Sequence, residues 1–209
     1  MIPVTGFSDD LLRLNRLDGA FAGWLFLAGM GYGETDAWWK EGQRQQPHEG
    51  IDLLFYSDPQ GMRRQLPPDA AVPAGWDGLL VACFDDFLGS TVVVRHGISD
   101  ADGWLLHSLY GHIRPVVQPG QLVTAGQTIA TVAAARPNRT PTTPPAHLHL
   151  SLAWFHSELP LANLAWPTLP GHHMVRLVDP LPLLAGSPWQ AAVPDGTAIS
   201  TSTAPIQPG

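Results

Sequence analysis

The stretch His147-Leu148-His149 heads an apolar run over residues 150–155. In a β-strand, side chains at positions i and i+2 point to one face, and the residue between them points to the other. Leu148 is therefore expected in the core, with both imidazoles together on the opposite surface. We predict a strand over residues 147–155 that carries a functional site on one face.

Short apolar segments separated by turn residues predict a mainly antiparallel all-β fold. The 21 glycines and 21 prolines are spread along the whole chain, and helical periodicity is scarce after the first thirty residues. The predicted strands are residues 51–56, 78–84, 90–96, 103–112, 122–123, 128–132 and 147–155. The proline-rich residues 58–77 and 136–145 are predicted to be loops.

The two ends of the chain give different signals. Ser8 followed by two aspartates is typical of a helix start, and the apolar spacing that continues to Phe21 predicts a helix over residues 9–21. We expect three parts, which are residues 1–43 with this helix and a connector, residues 44–184 as the main domain, and residues 185–209 as a disordered tail.

Composition excludes several classes of protein. The formal net charge is −7 and no Lys/Arg cluster is present, which argues against nucleic-acid binding. The single cysteine, Cys83, excludes an intrachain disulfide, and we expect its thiol to be buried. The apolar run 21–30 is too short and glycine-broken to span a bilayer, and no signal peptide is readable, so the compartment stays open.

Two motifs supply ligands for a metal. His48 and Asp52 offer an imidazole and a carboxylate four residues apart at the start of a predicted strand. With His149 they make a set of two nitrogens and one oxygen, which leaves a fourth position open as in catalytic zinc sites. A third element is Tyr110-Gly111-His112, where Tyr110 and His112 are predicted to share one strand face that looks into the same cleft.

With these motifs the sequence resembles the lysostaphin/LytM-type zinc metalloendopeptidases, which are peptidoglycan hydrolases. Their signature combines HxxxD, Tyr-x-His and HxH, and all three motifs occur here in that order. Residues 89–97 resemble the family's strand before Tyr-x-His. Residues 117–132 resemble its GxxVxxGQxI hairpin, which is similar to that of lipoyl and biotinyl carriers but lacks their modifiable lysine.

The resemblance implies a site and an activity. It implies that His48, Asp52 and His149 bind one zinc ion per chain and that His112 and His147 flank the attacking water, with the identity of the base left open. It also implies hydrolysis of peptide bonds in peptidoglycan stem or cross-bridge peptides, in the periplasm or cell wall. Two alternatives remain, a non-catalytic wall-binding or regulatory module of the same fold and a zinc hydrolase of another, intracellular substrate.

Overall fold

A computed structural model of the chain describes residues 2–134 and 143–191. One α-helix and thirteen strands occur in these residues, and three short 3₁₀ turns lie near the end. The elements are α1 (Phe7–Leu14), β1 (Gly23–Phe26), β2 (Ile51–Leu53), β3 (Phe55–Ser57), β4 (Arg63–Gln65), β5 (Ala71–Pro73), β6 (Gly78–Asp85), β7 (Ser90–Ser99), β8 (Leu105–Pro115), β9 (Leu122–Val123), β10 (Thr128–Val132), β11 (Leu148–Phe155), β12 (Val175–Val178) and β13 (Trp189–Ala191), with 3₁₀ turns at Leu161–Asn163, Trp166–Thr168 and Leu181–Leu184.

The large sheet confirms the predicted all-β, mainly antiparallel class. Its main path runs β12, β11, β8, β7, β6, β9. Strand β2 pairs with the same edge of β11 as β12 does, and β10 pairs with β8 and β5. Every pair in this sheet is antiparallel. The order places three short functional segments, on β2, β11 and β8, side by side.

A second, four-stranded sheet has the order β13, β1, β3, β4. The predicted single strand over residues 51–56 was wrong, because the chain changes sheet at Leu54. Residues Ile51–Leu53 pair with β11, whereas Phe55–Ser57 pair with β1 and β4. Only the first half of the predicted strand therefore belongs to the functional sheet.

The predicted helix over residues 9–21 is shorter than expected. It ends at Leu14 because Arg16 adopts a positive φ of 58°, and Leu17 N donates to Leu12 O to close the helix end. Ser8 is not a cap but lies inside the helix, where its Oγ accepts a hydrogen bond from Trp24 Nε1. The apolar residues after Leu14 therefore pack against the core from a turn and the segment after it, and not from a helix.

The apolar core of the main domain continues across the expected division at residue 43. Phe7, Leu11, Trp24 and Met30 belong to the same apolar core as Leu150 on β11. The N-terminal residues are therefore part of the main fold and not an appendage.

The tail expected from residue 185 is ordered as far as Ala191. Strand β13 pairs in parallel with β1, and Pro188 O accepts a hydrogen bond from Trp24 N. Residues 192–209, the rest of the predicted tail, lie outside the described residues.

Three smaller expectations were wrong. Strands β9 and β10 have the predicted bounds, but β9 pairs with β6 while β10 pairs with β5 and β8, so they do not form a self-paired hairpin. The predicted loop 58–77 contains β4 and β5. Cys83 is exposed because β6 alternates and turns Leu80 and Ala82 inward instead.

Within the proline-rich segment 136–145, residues 136–142 lie outside the described residues. No helix in residues 2–134 or 143–191 is long and apolar enough to cross a membrane.

Candidate metal and catalytic site

Three adjacent strands bring the predicted site residues into one row. On β11, His149 lies opposite Asp52 of β2 on one side and opposite Gly111 of β8 on the other. Leu148 is fully buried in the main core, as predicted from the alternation. His147 precedes the strand and turns to the same face as His149.

His48, Asp52 and His149 place one ligand atom each around a common point. Their ligand atoms all lie within 4.8 Å of one another. Asp52 Oδ1 is 3.1 Å from His48 Nε2 and 2.9 Å from His149 Nδ1, and the two ring nitrogens are 3.1 Å apart. His147 Nε2 also approaches Asp52 Oδ1, at 3.3 Å, but His147 is not in that mutually close group.

His48, His147 and His149 each have a hydrogen-bond partner on the ring nitrogen that points away from Asp52. His48 Nδ1 donates to Gly31 O at 3.0 Å, and His147 Nδ1 donates to Pro145 O at 2.7 Å. A neutral imidazole has one N–H, so both Nε2 atoms present lone pairs. His149 Nε2 shares a hydrogen bond of 2.9 Å with Ser151 Oγ.

Lone pairs that face a carboxylate oxygen at about 3 Å repel it unless a cation lies between them. This convergence is what a metal site requires, because metal-bound imidazoles have one nitrogen on the metal and the other hydrogen-bonded. Two imidazole nitrogens and one carboxylate oxygen match the ligands of catalytic zinc. The residues present therefore fit zinc.

Burial and the neighbouring charged or polar groups shift the pKa values of Asp52 and His149 in opposite directions. Burial raises the pKa of the Asp52 carboxyl, but the electrostatic influence of the surrounding histidine rings, chiefly His48 and His147, holds that pKa well below its ordinary value. Burial lowers the pKa of His149, and Asp52 opposes that effect. The carboxylate is therefore kept ionised and His149 neutral, which are the forms that bind a metal.

A β-bulge turns His112 into the site. Ser90 and Val92 on β7 pair with Ile113 and Tyr110, so two steps along β7 oppose three along β8. His112 has a φ of +61°, and the ring lies 4.8 Å from that of His147 and 5.7 Å from that of His149.

The prediction that Tyr110 and His112 share a face was wrong, because the extra residue breaks the alternation. Tyr110 is fully buried in the main core, where its hydroxyl accepts a hydrogen bond from Gly75 N at 2.8 Å. His112 alone of the pair reaches the cleft.

Asp86 is a buried carboxylate behind His112 that the sequence did not reveal. Its Oδ1 lies 3.0 Å from His112 Nδ1, and its Oδ2 accepts hydrogen bonds from His112 N and Thr91 Oγ1. The geometry of this ring contact falls short of a hydrogen bond, and His112 Nδ1 has no other hydrogen-bond partner among the described residues. Burial lowers the pKa of His112 to about 4, and Asp86 opposes that shift.

The site opens into a cavity of about 430 Å³. Its apolar lining includes Phe87, Pro144 and Trp166, and its polar lining includes Lys40 and residues 43–46. Trp166 packs edge-on against His149 at 4.6 Å, and Phe87 packs against His112 at 4.6 Å. The predicted loop 58–77 contributes no lining residue.

The remaining histidines lie away from this cluster. His96 and His107 are buried elsewhere in the sheet, and His172 and His173 stack on each other near the surface. The sequence also missed Trp38 and Arg44 as partners of Asp52. No motif signals them or Asp86, because all three come from turns or irregular segments.

Comparison with known proteins gives one family. Residues 57–159 match the model of peptidase family M23, a region that contains His112, His147 and His149 and begins after His48 and Asp52. No curated protein matches the chain significantly.

Several solved structures are similar. They include a zinc-containing peptidase from Vibrio cholerae (24% identity, 58% of this chain and 31% of that chain, TM-score 0.39), lysostaphin from Staphylococcus simulans (18%, 65% and 48%, 0.39) and a putative glycyl-glycine endopeptidase LytM from Ruminococcus gnavus (16%, 68% and 49%, 0.39). The chain spans less than half the length of each of these three chains.

Proposed function

The chain belongs to peptidase family M23 through residues 57–159, and on that premise we propose that it is a zinc-dependent metalloendopeptidase. The ligands are His48, Asp52 and His149. The observation that supports this proposal best is the convergence of His48 Nε2 and His149 Nδ1 on Asp52 Oδ1 at 3.1 and 2.9 Å. We assign His112 and His147 to the acid-base and oxyanion roles.

When bound, zinc supplies Lewis-acid chemistry at the scissile carbonyl and makes a nucleophile available from water near neutral pH. The chain's own residues prepare this position. Gly31 O fixes the tautomer of His48, and Ser151 Oγ engages the outer nitrogen of His149. The rings of His48 and His149 are thereby oriented before the substrate arrives.

His112 is the better candidate for the general base. Accepting a proton makes its ring positive, and the carboxylate of Asp86 at 3.0 Å from Nδ1 stabilises that charge. Nε2, on the other side of the ring, takes the proton from the attacking water. As the water oxygen bonds to the carbonyl carbon and the C–N bond breaks, His112 returns that proton to the leaving amine.

His147 is suited to the complementary role. Its Nδ1 is bound to the neutral carbonyl of Pro145, so the ring gains no carboxylate partner on that side. The ring lies between Trp38, at 5.2 Å, and His112, at 4.8 Å. When Nε2 also carries a proton, it donates a hydrogen bond to the oxyanion that develops on the carbonyl oxygen.

For the substrate we propose peptides of bacterial peptidoglycan, in the stem or cross-bridge. The resemblance to lysostaphin/LytM-type enzymes supports this class, and a cavity of about 430 Å³ with polar and apolar sides suits an extended peptide. Such a substrate requires the protein to act in the periplasm or cell wall, which is part of the proposal.

Zinc content and digestion of purified peptidoglycan test the proposal together. We expect about one zinc per chain and released peptides with new amino termini. His149→Ala should lose both, while His173→Ala, which changes an exposed histidine, should keep both.

The outcomes separate the alternatives. Zinc with hydrolysis of other peptides but not of peptidoglycan would overturn the substrate class alone. Zinc with no peptide hydrolysis would favour a hydrolase of another substrate. Absence of zinc after zinc supplementation would favour a non-catalytic module.

A further inference from the structure

Residues 29–44 surround the ligand pair His48 and Asp52, although they lie outside the region that matches the family. Gly31 O binds His48 Nδ1, and Glu34 O accepts a hydrogen bond from His48 N. Asp52 N donates to Met30 O at 2.9 Å. The segment is therefore tied to both ligands by its backbone.

Two side chains of this segment bind the outer oxygen of the Asp52 carboxylate. Trp38 Nε1 donates to Asp52 Oδ2 at 2.7 Å, and Arg44 Nη2 donates to the same oxygen at 3.1 Å. The inner oxygen, Oδ1, is the one that faces His48 and His149. The two carboxylate oxygens thus have separate partners.

We propose that Trp38 and Arg44 are positioning residues that hold Asp52 as a ligand through Oδ1 alone, an inference that rests on the proposed zinc site. With both of its donors in place, Oδ2 cannot turn toward the metal position without breaking the hydrogen bonds from Trp38 Nε1 and Arg44 Nη2. Asp52 can thereby offer only Oδ1 to the metal, and the plane of its carboxylate is fixed.

Arg44 is held in place by groups other than Asp52. Its Nη2 also donates to Gly29 O at 2.9 Å, its Nε donates to Asp36 O at 3.2 Å, and its guanidinium lies 4.7 Å from the centre of the Trp39 ring. A planar group with several donors suits this arrangement better than an ammonium does. These contacts therefore hold the Arg44 guanidinium in the position from which it donates to Asp52.

Trp38 connects the ligand to the acid-base pair. While Nε1 binds Asp52, the indole ring packs edge-on against His147 at 5.2 Å and against Phe55 at 6.1 Å. One side chain thus fixes a metal ligand and one side of the His147 ring. Replacing it with phenylalanine removes the donor while leaving an aromatic ring.

The loop that presents these residues is shaped by a glycine and a glutamate. Gly29 has a φ of +93°, and a Cβ there would clash with Asp36 O, so the chain folds back this closely only with glycine. Glu34 Oε2 accepts hydrogen bonds from Gly29 N and Gly31 N. Hydrogen bonds within the loop therefore hold the segment that presents Trp38 and Arg44 to Asp52.

The test is zinc affinity, measured by competition with a chromophoric chelator. Trp38→Phe and Arg44→Lys should each weaken zinc binding about ten- to a hundredfold, the usual effect of removing a hydrogen bond from a metal ligand. The absorption spectrum of the cobalt(II) form should also change, because freed Oδ2 can approach the metal as a second oxygen.

Two matched variants control for stability. Trp24→Phe removes a buried indole hydrogen bond to Ser8, and Arg64→Lys alters an Arg–Asp pair with Asp58, both outside the site. We expect them to lower the melting temperature of the metal-free protein without changing zinc affinity.

Wild-type zinc affinity in both Trp38→Phe and Arg44→Lys would overturn this inference while leaving the proposed function intact. Failure of the unaltered protein to bind zinc would overturn the proposed function, and the inference with it.

Discussion

The chain contains two groups of buried histidines that differ in their partners. At the candidate site, His48 and His147 each have one nitrogen bound to a backbone carbonyl and the other facing Asp52. In the second group, His96 bonds to Asp77 O and Ser108 Oγ, and His107 bonds to Leu105 O and stacks on Phe155 at 4.3 Å. These hydrogen-bond partners of His96 and His107 are all uncharged groups.

This difference shows what separates a binding site from a structural histidine. Burial is similar in both groups, since all six residues, including His112 and His149, are at most 5% exposed. Only the candidate site aims several ring nitrogens at one carboxylate. The convergence of ring nitrogens on one carboxylate, and not burial, therefore distinguishes the proposed metal site from the second group.

The largest expected effect comes from removing the shared carboxylate of the first group. Asp52→Ala should lower zinc from about one per chain to almost none and abolish turnover, because the lone pairs of His48 and His149 lose their anionic partner. Metal analysis and peptide hydrolysis on one preparation measure both.

The matched change in the second group is His96→Gln, which should keep zinc and activity. Full zinc in Asp52→Ala, or zinc loss in His96→Gln, would show that the two groups are not distinguished by the carboxylate.

The next effect concerns the two histidines without a metal bond. His112→Ala should lower turnover about a hundredfold or more at unchanged zinc content, the size of one acid-base or oxyanion contribution. Adding His147→Ala should cost less than the product of the single effects, because both rings act on one transition state. Independent, multiplicative losses would argue against a shared step.

Asp86→Asn should have a smaller effect, of about ten- to a hundredfold on kcat with KM and zinc unchanged. The amide can still accept hydrogen bonds from Leu88 N and Gly89 N, but it no longer stabilises a positive His112 ring.

Asp58→Asn provides the control, because Asp58 also accepts two backbone hydrogen bonds from a turn. It should lower stability without lowering kcat. Equal kcat in Asp86→Asn and the wild-type protein would remove Asp86 from the mechanism.

The smallest effect is on stability alone and arises in the second group. Burial lowers the pKa of His107 to about 4, against about 6.5 in the unfolded chain. Between these values the unfolded state binds a proton that the folded state does not, so the free energy of unfolding falls as pH falls from about 6.5 to 4, by at most about 3 kcal/mol. Above pH 6.5 this contribution is fully present.

His107→Phe, which preserves a ring against Phe155, should flatten this pH dependence and leave turnover unchanged. Denaturant unfolding at several pH values measures it. An unchanged slope in the variant would contradict the assignment of the proton uptake to His107.

The local parts of the site were predictable from the sequence. Alternation along a strand makes the side chains of His149 and Leu148 point to opposite faces. The four-residue spacing places His48 just before the strand that carries Asp52. These relations depend on neighbours in the chain. Strand bounds such as Thr128–Val132 were predicted for the same reason.

The parts that depend on pairing between distant strands were not predictable. The bulge turns His112 inward and Tyr110 away. It arises because β8 has one residue more than β7 between the pairs Ser90–Ile113 and Val92–Tyr110. The change of sheet at Leu54 depends on the competition between β11 and β1 as partners. Trp38, Arg44 and Asp86 reach the site from irregular segments with no periodic pattern.

The central claim is that neighbouring histidines of one motif have different tasks, and zinc content with turnover in His147→Ala and His149→Ala tests it most directly. His149 Nδ1 belongs to the mutually close ligand group, and His147 does not. We predict that His149→Ala loses its zinc, whereas His147→Ala keeps about one zinc per chain and turns over about a hundredfold more slowly. A His147→Ala protein without zinc, beside a His149→Ala protein that retains it, would contradict the account.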